Sequence, residues 1–301
     1  EMTARGYKPS LATGSIAAGG TLGILIPPST MMVLYAFLTE QPVLPLFLAA
    51  VVPGIIAALL HFVAIALYVR LDPEAGPAGP RMSWKERGAV LGRAWGVLVL
   101  IVIISGGIYG GIFTVTEAAA VGATVAFAFA LLRRSLTWKV LGEVFRDAAS
   151  ATTMIYMLVI GASILTYFLT LSRMPEFVIS SIETMNAHPL LVIAMLMVIY
   201  IILGSIFDTV AAMVITMPFV FPLIIDMGYS PIWWGVVNVM VIEIGMITPP
   251  IGINVFVLNS MAPQVPLKTI FRGILPFFGA DLVRLALVIL FPALALWLPG
   301  L

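Results

Sequence analysis

Two short stretches decide the fold of this chain: residues 23–28 read GILIPP, and residues 245–250 read GMITPP. They are 222 positions apart, and the same spacing aligns residues 6–9, GYKP, with residues 228–231, GYSP. The shared residues are mostly Gly and Pro, which fix the shape of the backbone. Chance alignment of a Gly- and Pro-rich apolar chain is the alternative, but these matches stay in register without a gap. The pattern therefore predicts an internal repeat with an interrupted helix in each copy.

The composition indicates that the solvent of this protein is lipid. Hydrophobic residues make up 61% of the chain, charged residues only 10%, and the mean hydropathy is +1.14. A soluble domain carries roughly 45–50% apolar and about 25% charged residues. A net charge of +1 argues against nucleic acid as a partner, and the lack of cysteine excludes disulfides and thiolate metal sites. His61 and His188 stand apart in the sequence, which disfavours a zinc enzyme, and His61 is expected to be a packed or interfacial histidine.

Several uncharged runs approach the roughly 20 residues that a helix needs to cross a bilayer. The predicted runs are Leu46–Tyr68, Ala94–Phe113, Ala118–Leu132, Ile155–Leu171, Leu190–Leu203 and Ile274–Leu298. We therefore predict an all-α integral membrane protein. The more polar stretch Trp138–Ala148 is expected to lie along the membrane surface as an amphipathic helix.

The basic residues predict which loops face the cytoplasm. Nine of the fifteen Lys and Arg residues fall in two loops, separated by two apolar runs. They are Arg70, Arg81, Lys85, Arg87 and Arg93 in one loop, and Arg133, Arg134, Lys139 and Arg146 in the other. An even number of crossings puts both loops on one side, and the positive-inside rule makes that side cytoplasmic. The Pro- and Gly-rich stretch Asp72–Met82 is expected to be a flexible connection.

Each Pro-Pro pair predicts an end to a helix inside the membrane. Proline removes a backbone donor, and its ring clashes with the preceding turn. Backbone carbonyls that are left without a partner at membrane depth are tolerated only where they are buried in protein or face water. Such carbonyls and small hydroxyls can coordinate a hard cation. The half-helix that starts after the prolines directs its free N–H groups toward the same point, where they favour an anion.

A third interruption lies at Gly204–Thr209, between the apolar runs Leu190–Leu203 and Val210–Ile225. Two short runs around a polar tip indicate a re-entrant hairpin or a broken helix. Asp208 is a carboxylate at membrane depth, which marks it as a functional candidate. Alternatively, Ser205 and Asp208 form a helix-capping pattern. Both interpretations stay open at this point.

Two breaks in corresponding positions predict one shared transport site. The candidate cation-binding residues are Gly19, Thr21, Gly23, Ile26, Gly204, Asp208, Thr209, Gly245 and Thr248. The candidate substrate-binding residues are Pro27, Pro28, Ser29, Pro249, Pro250, Gly252 and Asn254. The alternative is a pair of kinked helices that small residues pack together, as in many membrane proteins.

The remaining charges in apolar segments have structural interpretations as well. Residues 114–117, TVTE, fit a capping box that opens the following helix. Glu243 is expected either to pair with a buried arginine, such as Arg272 or Arg284, or to take part in ion coupling. Asp281 lies three positions before Arg284 and is placed to pair with it.

Four motifs, spread in order over the chain, resemble the signatures of one family. They are GGTLGILIPPS at residues 19–29, GGIFTVTEAAAV at residues 110–121, FDT at residues 207–209 and EIGMITPPIGIN at residues 243–254. Together they are similar to the large, DctM-like membrane subunit of TRAP (tripartite ATP-independent periplasmic) transporters. Each motif alone would be a weak signal.

The resemblance implies an elevator-type secondary transporter in a bacterial or archaeal inner membrane, and not an enzyme. A mobile domain with two re-entrant hairpins, related by inverted symmetry, is expected to move against a scaffold. The family further implies Na⁺ as the coupling ion at the candidate cation-binding residues, and no other cofactor. Its implied partners are a periplasmic substrate-binding protein and a small four-helix membrane subunit. Typical substrates carry a carboxylate.

Two features depart from the family pattern. Val115 stands where the family usually has Pro, so a softer bend is expected there. Family members also carry an N-terminal stretch that includes the first arm of the first hairpin. We expect the present chain to be N-terminally incomplete, without a counterpart of Gly204–Asp208 in its first repeat.

The repeat and the resemblance together give a domain assignment. Residues 1–45 and 201–265 are assigned to the transport domain, as the first and second repeat. Residues 46–150 are assigned to scaffold helices with cytoplasmic loops, residues 151–200 to connecting helices, and residues 266–301 to a C-terminal transmembrane helix.

Three other functions compete with TRAP transport. One is a divalent-anion/sodium symporter of related two-hairpin architecture that works without a binding protein. A membrane-embedded hydrolase would need a nucleophile with a base or a metal cluster, and no such constellation is apparent in the sequence. A purely structural subunit would not require paired broken helices.

Overall fold

The computed structural model describes residues 2–77, 79, 83–93, 95–184 and 188–300. Within these ranges every regular element is helical. The α-helices are α1 (Pro9–Leu25), α2 (Thr30–Thr39), α3 (Val43–Leu71), α4 (Trp84–Arg93), α5 (Trp95–Tyr109), α6 (Val115–Leu132), α7 (Trp138–Ser172), α8 (Met174–Thr184), α9 (Pro189–Ile206), α10 (Thr209–Asp226), α11 (Pro231–Met246), α12 (Ile253–Met261), α13 (Leu267–Leu290) and α14 (Ala293–Leu296). Arg81 and Met82 of the predicted basic loop, and Ala94 at the start of a predicted run, lie outside the described residues.

In the described part of the chain, six helices are long and apolar enough to cross a membrane: α3, α6, α7, α9, α10 and α13. The bent pair α1 and α2, which meet at 42°, would make a seventh span. This agrees with the predicted all-α integral membrane protein. Helix α5 is shorter than the predicted run Ala94–Phe113, since Gly110 and Gly111 end it in a turn after Tyr109.

Two predicted elements differ from the structure. The stretch Trp138–Ala148 is not a separate surface helix, because α7 continues from Trp138 to Ser172 without interruption. Its 35 residues span about 50 Å, which is longer than the hydrocarbon core of a bilayer. The predicted last run, Ile274–Leu298, is divided instead: α13 ends at Leu290, and α14 starts after Pro292.

The chain divides into two compact units, residues 1–77 with 158–301, and residues 78–157. In the second unit, α5 packs on α6 through an edge-to-face contact between Trp95 and Phe129, with ring centroids 5.1 Å apart. The predicted capping box is confirmed at the start of α6. Thr114 Oγ1 accepts from the Glu117 backbone at 3.3 Å, and the Thr114 backbone donates to Glu117 Oε2 at 2.8 Å.

Helix α11 forms the core of the first unit. Every residue from Trp233 to Met246 is buried, and apart from Asn238 and Glu243 this stretch is apolar on all sides of the helix. Helices α1, α2, α3, α9, α10, α12, α13 and α14 pack around it. A helix that is hydrophobic all round is expected at such a central position. The second Pro-Pro motif follows α11 directly, so this motif is anchored to the most buried helix of the unit.

The structure reproduces the predicted repeat. Helix α1 begins at Pro9 and α11 at Pro231, 222 positions later, and both helices end just before a Pro-Pro pair. The Pro27–Pro28 and Pro249–Pro250 peptide bonds are both cis. A short helix and then a long one follow each pair: α2 and α3 in the first copy, α12 and α13 in the second.

Candidate functional site

The first break separates α1 from α2. Helix α1 ends at Leu25, Ile26 is extended, and α2 starts at Thr30. Ser29 makes hydrogen bonds to both helices across the break. Its hydroxyl donates to the Ile24 carbonyl at the end of α1 and accepts from the Met32 backbone N–H at 3.3 Å, which caps α2. The break is therefore an ordered turn that Ser29 stabilises.

The second break separates α11 from α12 and is longer. Thr248 Oγ1 donates to the Ile244 carbonyl at 2.6 Å, and the Thr248 backbone N–H donates to the Gly245 carbonyl at 2.9 Å. Gly252 then precedes α12 with φ +62°, a left-handed conformation that favours glycine. The hydroxyls of Ser29, a predicted substrate-binding residue, and of Thr248, a predicted cation ligand, thus already donate to carbonyls at the helix ends. Each hydroxyl oxygen keeps acceptor capacity, since it has two lone pairs.

The two breaks lie close together. Helix α1 packs against both α11 and α12. The side-chain amide of Asn254, in the first turn of α12, lies 3.8 Å from the position that a Cβ on Gly20 would occupy. Ala17 of α1 packs in one buried cluster with Ile247 and Val255, which lie on either side of the second Pro-Pro pair. The interrupted ends of the two repeats are therefore neighbours in the fold.

The third interruption packs against the second break. Helix α9 ends at Ile206, and its Gly204 backbone contacts Gly245 of α11 so closely that a Cβ on Gly245 would lie 2.7 Å from Gly204 Cα. The Gly252 backbone N–H donates to the Ser205 carbonyl at 3.0 Å. Thr209 Oγ1 lies 3.3 Å from Met246 Sδ. The structure thus brings Gly204, Thr209, Gly245, Thr248 and Gly252 into one region.

Asp208 caps a helix in this structure. Its Oδ1 accepts from the Val210 backbone N–H at 3.0 Å, and the residue is exposed. The predicted capping pattern was misassigned, however. Ser205 was expected at the cap, but it belongs to the last turn of α9 and donates to the Ile202 carbonyl at 2.7 Å. The extended residue Phe207 separates the two helices, so the cap position falls on Asp208.

The other candidate residues occupy different environments. Thr21 is fully buried and donates to the Ala18 carbonyl of its own helix at 2.8 Å. The exposed candidates are Gly19, Gly23, Ile26, Pro28, Pro249 and Pro250, whereas Pro27 and Asn254 are half-buried. Thr21 is therefore packed inside the protein like the cluster around Gly245, whereas three of the four prolines of the Pro-Pro pairs are exposed.

A buried network of charges lies beside the breaks and was only partly predicted. Arg284 Nη2 lies 3.1 Å from Glu243 Oε2 and 3.2 Å from Asp281 Oδ1. His61 Nε2 lies 3.2 Å from the same Asp281 oxygen. The prediction that Glu243 pairs with a buried arginine is confirmed for Arg284, and so is the pair of Asp281 with Arg284. The contact of His61 with Asp281 has no local signal in the sequence, because His61 lies on α3, 220 positions away.

The charge network links three helices and joins one of them to the break. Glu243 precedes Gly245 by two positions, and all four side chains are nearly inaccessible to solvent. Glu243 Oε1 and two Arg284 nitrogens, Nε and Nη1, have no hydrogen-bond partner in the described part of the chain. A buried charge needs a partner, since unpaired burial is strongly unfavourable. The network therefore fixes the end of α11 relative to α3 and α13.

Comparison with known proteins identifies the family. Residues 1–294 match the model of the family described as "Tripartite ATP-independent periplasmic transporter, DctM component". The chain is 36% identical to the C4-dicarboxylate TRAP transporter large permease protein DctM of Vibrio cholerae, over 100% of this chain and 70% of that protein. It is 36% identical to the protein of the same name from Pseudomonas aeruginosa, over 99% of this chain and 70% of that protein.

A third relative has a different name. The sialic acid TRAP transporter large permease protein SiaM of Vibrio cholerae is 29% identical, over 98% of this chain and 69% of that protein. The match to the family model extends over nearly the whole chain, including both Pro-Pro breaks and the Gly204–Thr209 interruption. The chain therefore belongs to the DctM component family of the tripartite ATP-independent periplasmic transporters.

Proposed function

We propose that this chain works in sodium-coupled uptake of an organic carboxylate anion across a bacterial inner membrane. A periplasmic binding protein delivers the substrate, and a small four-helix membrane subunit is the membrane partner. The observation that carries the proposal is the proximity of the two Pro-Pro breaks, through Gly20 with Asn254 and through Ala17 with Ile247 and Val255. Broken helices that meet inside a membrane protein are the architecture that binds ions and substrate in secondary transporters.

Na⁺ is the coupling ion in this proposal. Its ligands would be oxygens around the breaks and the α9–α10 tip, at the candidate cation-binding residues Gly19, Thr21, Gly23, Ile26, Gly204, Asp208, Thr209, Gly245 and Thr248. Free backbone carbonyls and hydroxyls are oxygen donors, which suit a hard cation. At the end of α11, the Thr248 hydroxyl directs its proton to the Ile244 carbonyl, which leaves lone pairs of the hydroxyl oxygen for such a cation.

The substrate carboxylate binds in this proposal at the start of the half-helices, near Pro27, Pro28, Ser29, Pro249, Pro250, Gly252 and Asn254. The N-termini of α2 and α12 direct backbone N–H groups toward the breaks, and such ends favour anions. Two relatives with 36% identity are named for C4-dicarboxylates, so this class is the first to test. The relative named for sialic acid shows that substrate names differ among similar chains.

The mechanism proposed is elevator movement. Residues 1–45 and 201–265 would move together, since both Pro-Pro breaks and the α9–α10 tip belong to these segments. Residues 46–150 would form the scaffold, residues 151–200 the connection, and residues 266–301 a C-terminal membrane segment. Re-entrant hairpins with inverted symmetry are part of the same proposal.

Uptake into proteoliposomes tests the function. The large and small subunits are reconstituted together, and entry of radiolabelled succinate is measured with an inward sodium gradient, with and without the periplasmic binding protein. Uptake that requires both the gradient and the binding protein is the expected result. Uptake that is equally fast without the binding protein would favour a divalent-anion/sodium symporter. Sodium-independent uptake would overturn the coupling, and if no carboxylate enters under any condition, the transport proposal is wrong.

A further inference from the structure

A cavity of about 860 Å³ opens in the first unit. It lies between the start of α1, the end of α3 and the first turns of α13. Its polar wall consists of Lys8, Ser10, Tyr68, Asp72, Lys268, Thr269 and Arg272. Three cationic side chains and one carboxylate thus line one cavity, which gives the wall a net positive charge.

Lys8 is already neutralised within this cavity. Its ammonium group lies 2.7 and 2.8 Å from the two Asp72 carboxylate oxygens, and Glu74 Oε2 lies 3.6 Å away. The hydrogen bond that Lys8 donates to Asp72 raises the pKa of Lys8, so this side chain stays protonated. An additional anion in the cavity must therefore find its partners elsewhere on the wall.

Lys268 and Arg272 supply those partners. Both side chains are exposed, and neither has a carboxylate within ion-pair distance in the described part of the chain. They are four positions apart on α13, which puts them on one face of the helix with Cβ atoms about 6 Å apart. Arginine binds phosphate through two parallel N–H donors, and lysine adds a point charge. Two unpaired cations on one face are suited to a phosphate group.

The rest of the cavity is apolar and opens at the side of the protein. Leu67, Leu71 and Leu275 line it and are 54%, 86% and 63% exposed. Leucines at this exposure on a membrane protein contact acyl chains. Helix α3 ends at this cavity and leads directly into the first basic loop, so the positive-inside pattern puts the cavity at the cytoplasmic leaflet. At this depth, cationic side chains suit the anionic headgroup of a phospholipid, and the neighbouring exposed leucines suit its acyl chains.

We propose that this cavity binds an anionic phospholipid of the cytoplasmic leaflet, with Lys268 and Arg272 holding the headgroup phosphate and the three leucines contacting the acyl chains. Basic pockets between membrane helices on the cytoplasmic side bind the anionic headgroups of phospholipids. Ser10 and Tyr68, whose hydroxyls are 3.0 Å apart, add hydrogen-bonding capacity at the back of the cavity. None of the residues that line this cavity is among the proposed ion or substrate residues.

The bound lipid would lie next to the second break. A neighbouring cavity of about 470 Å³ is also lined by Lys268, Arg272 and Leu275, and it extends to Thr248 and Pro249. The two cationic residues are therefore common to the lipid cavity and to the groove beside the break. A dicarboxylate that leaves toward the cytoplasm could bind the same two cationic side chains. The experiment must therefore distinguish a bound phospholipid from a bound dicarboxylate.

Lipid retention tests the proposal. The purified protein is depleted of lipid in detergent and incubated with phosphatidylglycerol or phosphatidylcholine, and bound lipid is counted by native mass spectrometry. Each basic residue near an anionic lipid contributes about five-fold in affinity, so the wild type is expected to prefer phosphatidylglycerol roughly 30-fold. The double variant Lys268→Gln/Arg272→Gln should lose this preference. The control Arg70→Gln/Lys85→Gln removes two exposed cations that do not line the cavity and should retain it.

Three outcomes would overturn the proposal. Equal retention of the two lipids by the wild type would show that the cavity does not select an anion. An unchanged preference in the Lys268→Gln/Arg272→Gln variant would place the lipid elsewhere. Displacement of phosphatidylglycerol by millimolar inorganic phosphate or succinate would assign the cations to a soluble anion. Because both residues are exposed, the variants are expected to fold, and an unchanged thermal unfolding midpoint checks this.

Discussion

Gly204 and Gly245 meet backbone to backbone, where the end of α9 crosses the end of α11. A Cβ on Gly245 would lie 2.7 Å from Gly204 Cα and 3.0 Å from the Ser205 backbone nitrogen. Small residues allow membrane helices to approach this closely, and close packing contributes much of their association. The contact sets the position of the α9–α10 tip relative to the second break, because Gly252 also donates to Ser205.

Gly245→Ala should destabilise the protein. The added methyl group overlaps backbone that has no flexible side chain to move aside, and overpacking of this kind costs about 1–3 kcal/mol. The midpoint of thermal unfolding in detergent is expected to fall. Gly279→Ala is the matched control, since it adds the same group inside helix α13 where nothing lies within 4 Å. If Gly245→Ala and Gly279→Ala unfold at the same temperature, the close crossing of α9 and α11 is wrong.

The buried ion pair predicts that a second substitution restores part of the stability that the first one removes. Arg284→Met leaves Glu243 without its cation in a fully buried site, and loss of one partner of a buried ion pair costs about 3–5 kcal/mol. In Glu243→Met/Arg284→Met the uncompensated carboxylate is also gone, while Asp281 keeps its contact with His61. The double variant should therefore unfold at a higher temperature than the single one. A double variant no more stable than Arg284→Met would contradict the ion pair.

The two helix breaks could be located from the sequence because they depend on local chemistry. The two Pro-Pro pairs interrupt their helices wherever they are placed, and the capping box at Thr114 and Glu117 requires only four consecutive residues. The membrane class follows likewise from composition. These features could be predicted because the residues that determine them are adjacent in the chain.

The contacts between distant segments could not be predicted in the same way. Nothing local to His61 indicates that it meets Asp281 across 220 positions. The continuity of α7 was also missed, because the polar residues in its first turns suggested a separate helix at the membrane surface. Helix propensity does not require a stop between Ala148 and Ile155, where no Gly or Pro occurs, so one long helix forms.

Gly252 should be sensitive to the type of substitution. Its φ of +62° is costly for alanine, by about 1–2 kcal/mol, whereas asparagine adopts the left-handed region more readily. Both replacements place a Cβ 3.1 Å from the Thr248 carbonyl oxygen. The difference in stability between the two variants therefore reports the cost of the left-handed backbone conformation. Gly252→Asn is expected to retain more stability and more succinate uptake than Gly252→Ala. Equal loss in the two variants would indicate that close contact, and not backbone conformation, requires the glycine.

Thr248 and Asn254 distinguish a transporter from a structural subunit. Thr248→Ala and Asn254→Ala remove polar groups at the second break, and we expect sodium-dependent uptake to be lost while the protein remains folded. Ser260→Ala, an exposed position on the same short helix α12, is the control and should keep wild-type uptake. Uptake rates are measured as a function of sodium concentration. Full activity in both break variants would remove these residues from the transport site.

Proximity of the two breaks in the membrane is the central claim, and cysteine cross-linking measures it most directly. The chain contains no cysteine, so Gly20→Cys/Asn254→Cys introduces a single defined pair. With a short thiol-specific bifunctional reagent, we predict efficient cross-linking that sodium and substrate together slow by occupying the space between the breaks. The pair Lys8→Cys/Asp72→Cys, at a salt bridge outside the site, serves as the positive control. If the control pair reacts and the Gly20–Asn254 pair does not under any condition, the two broken helices do not share a site.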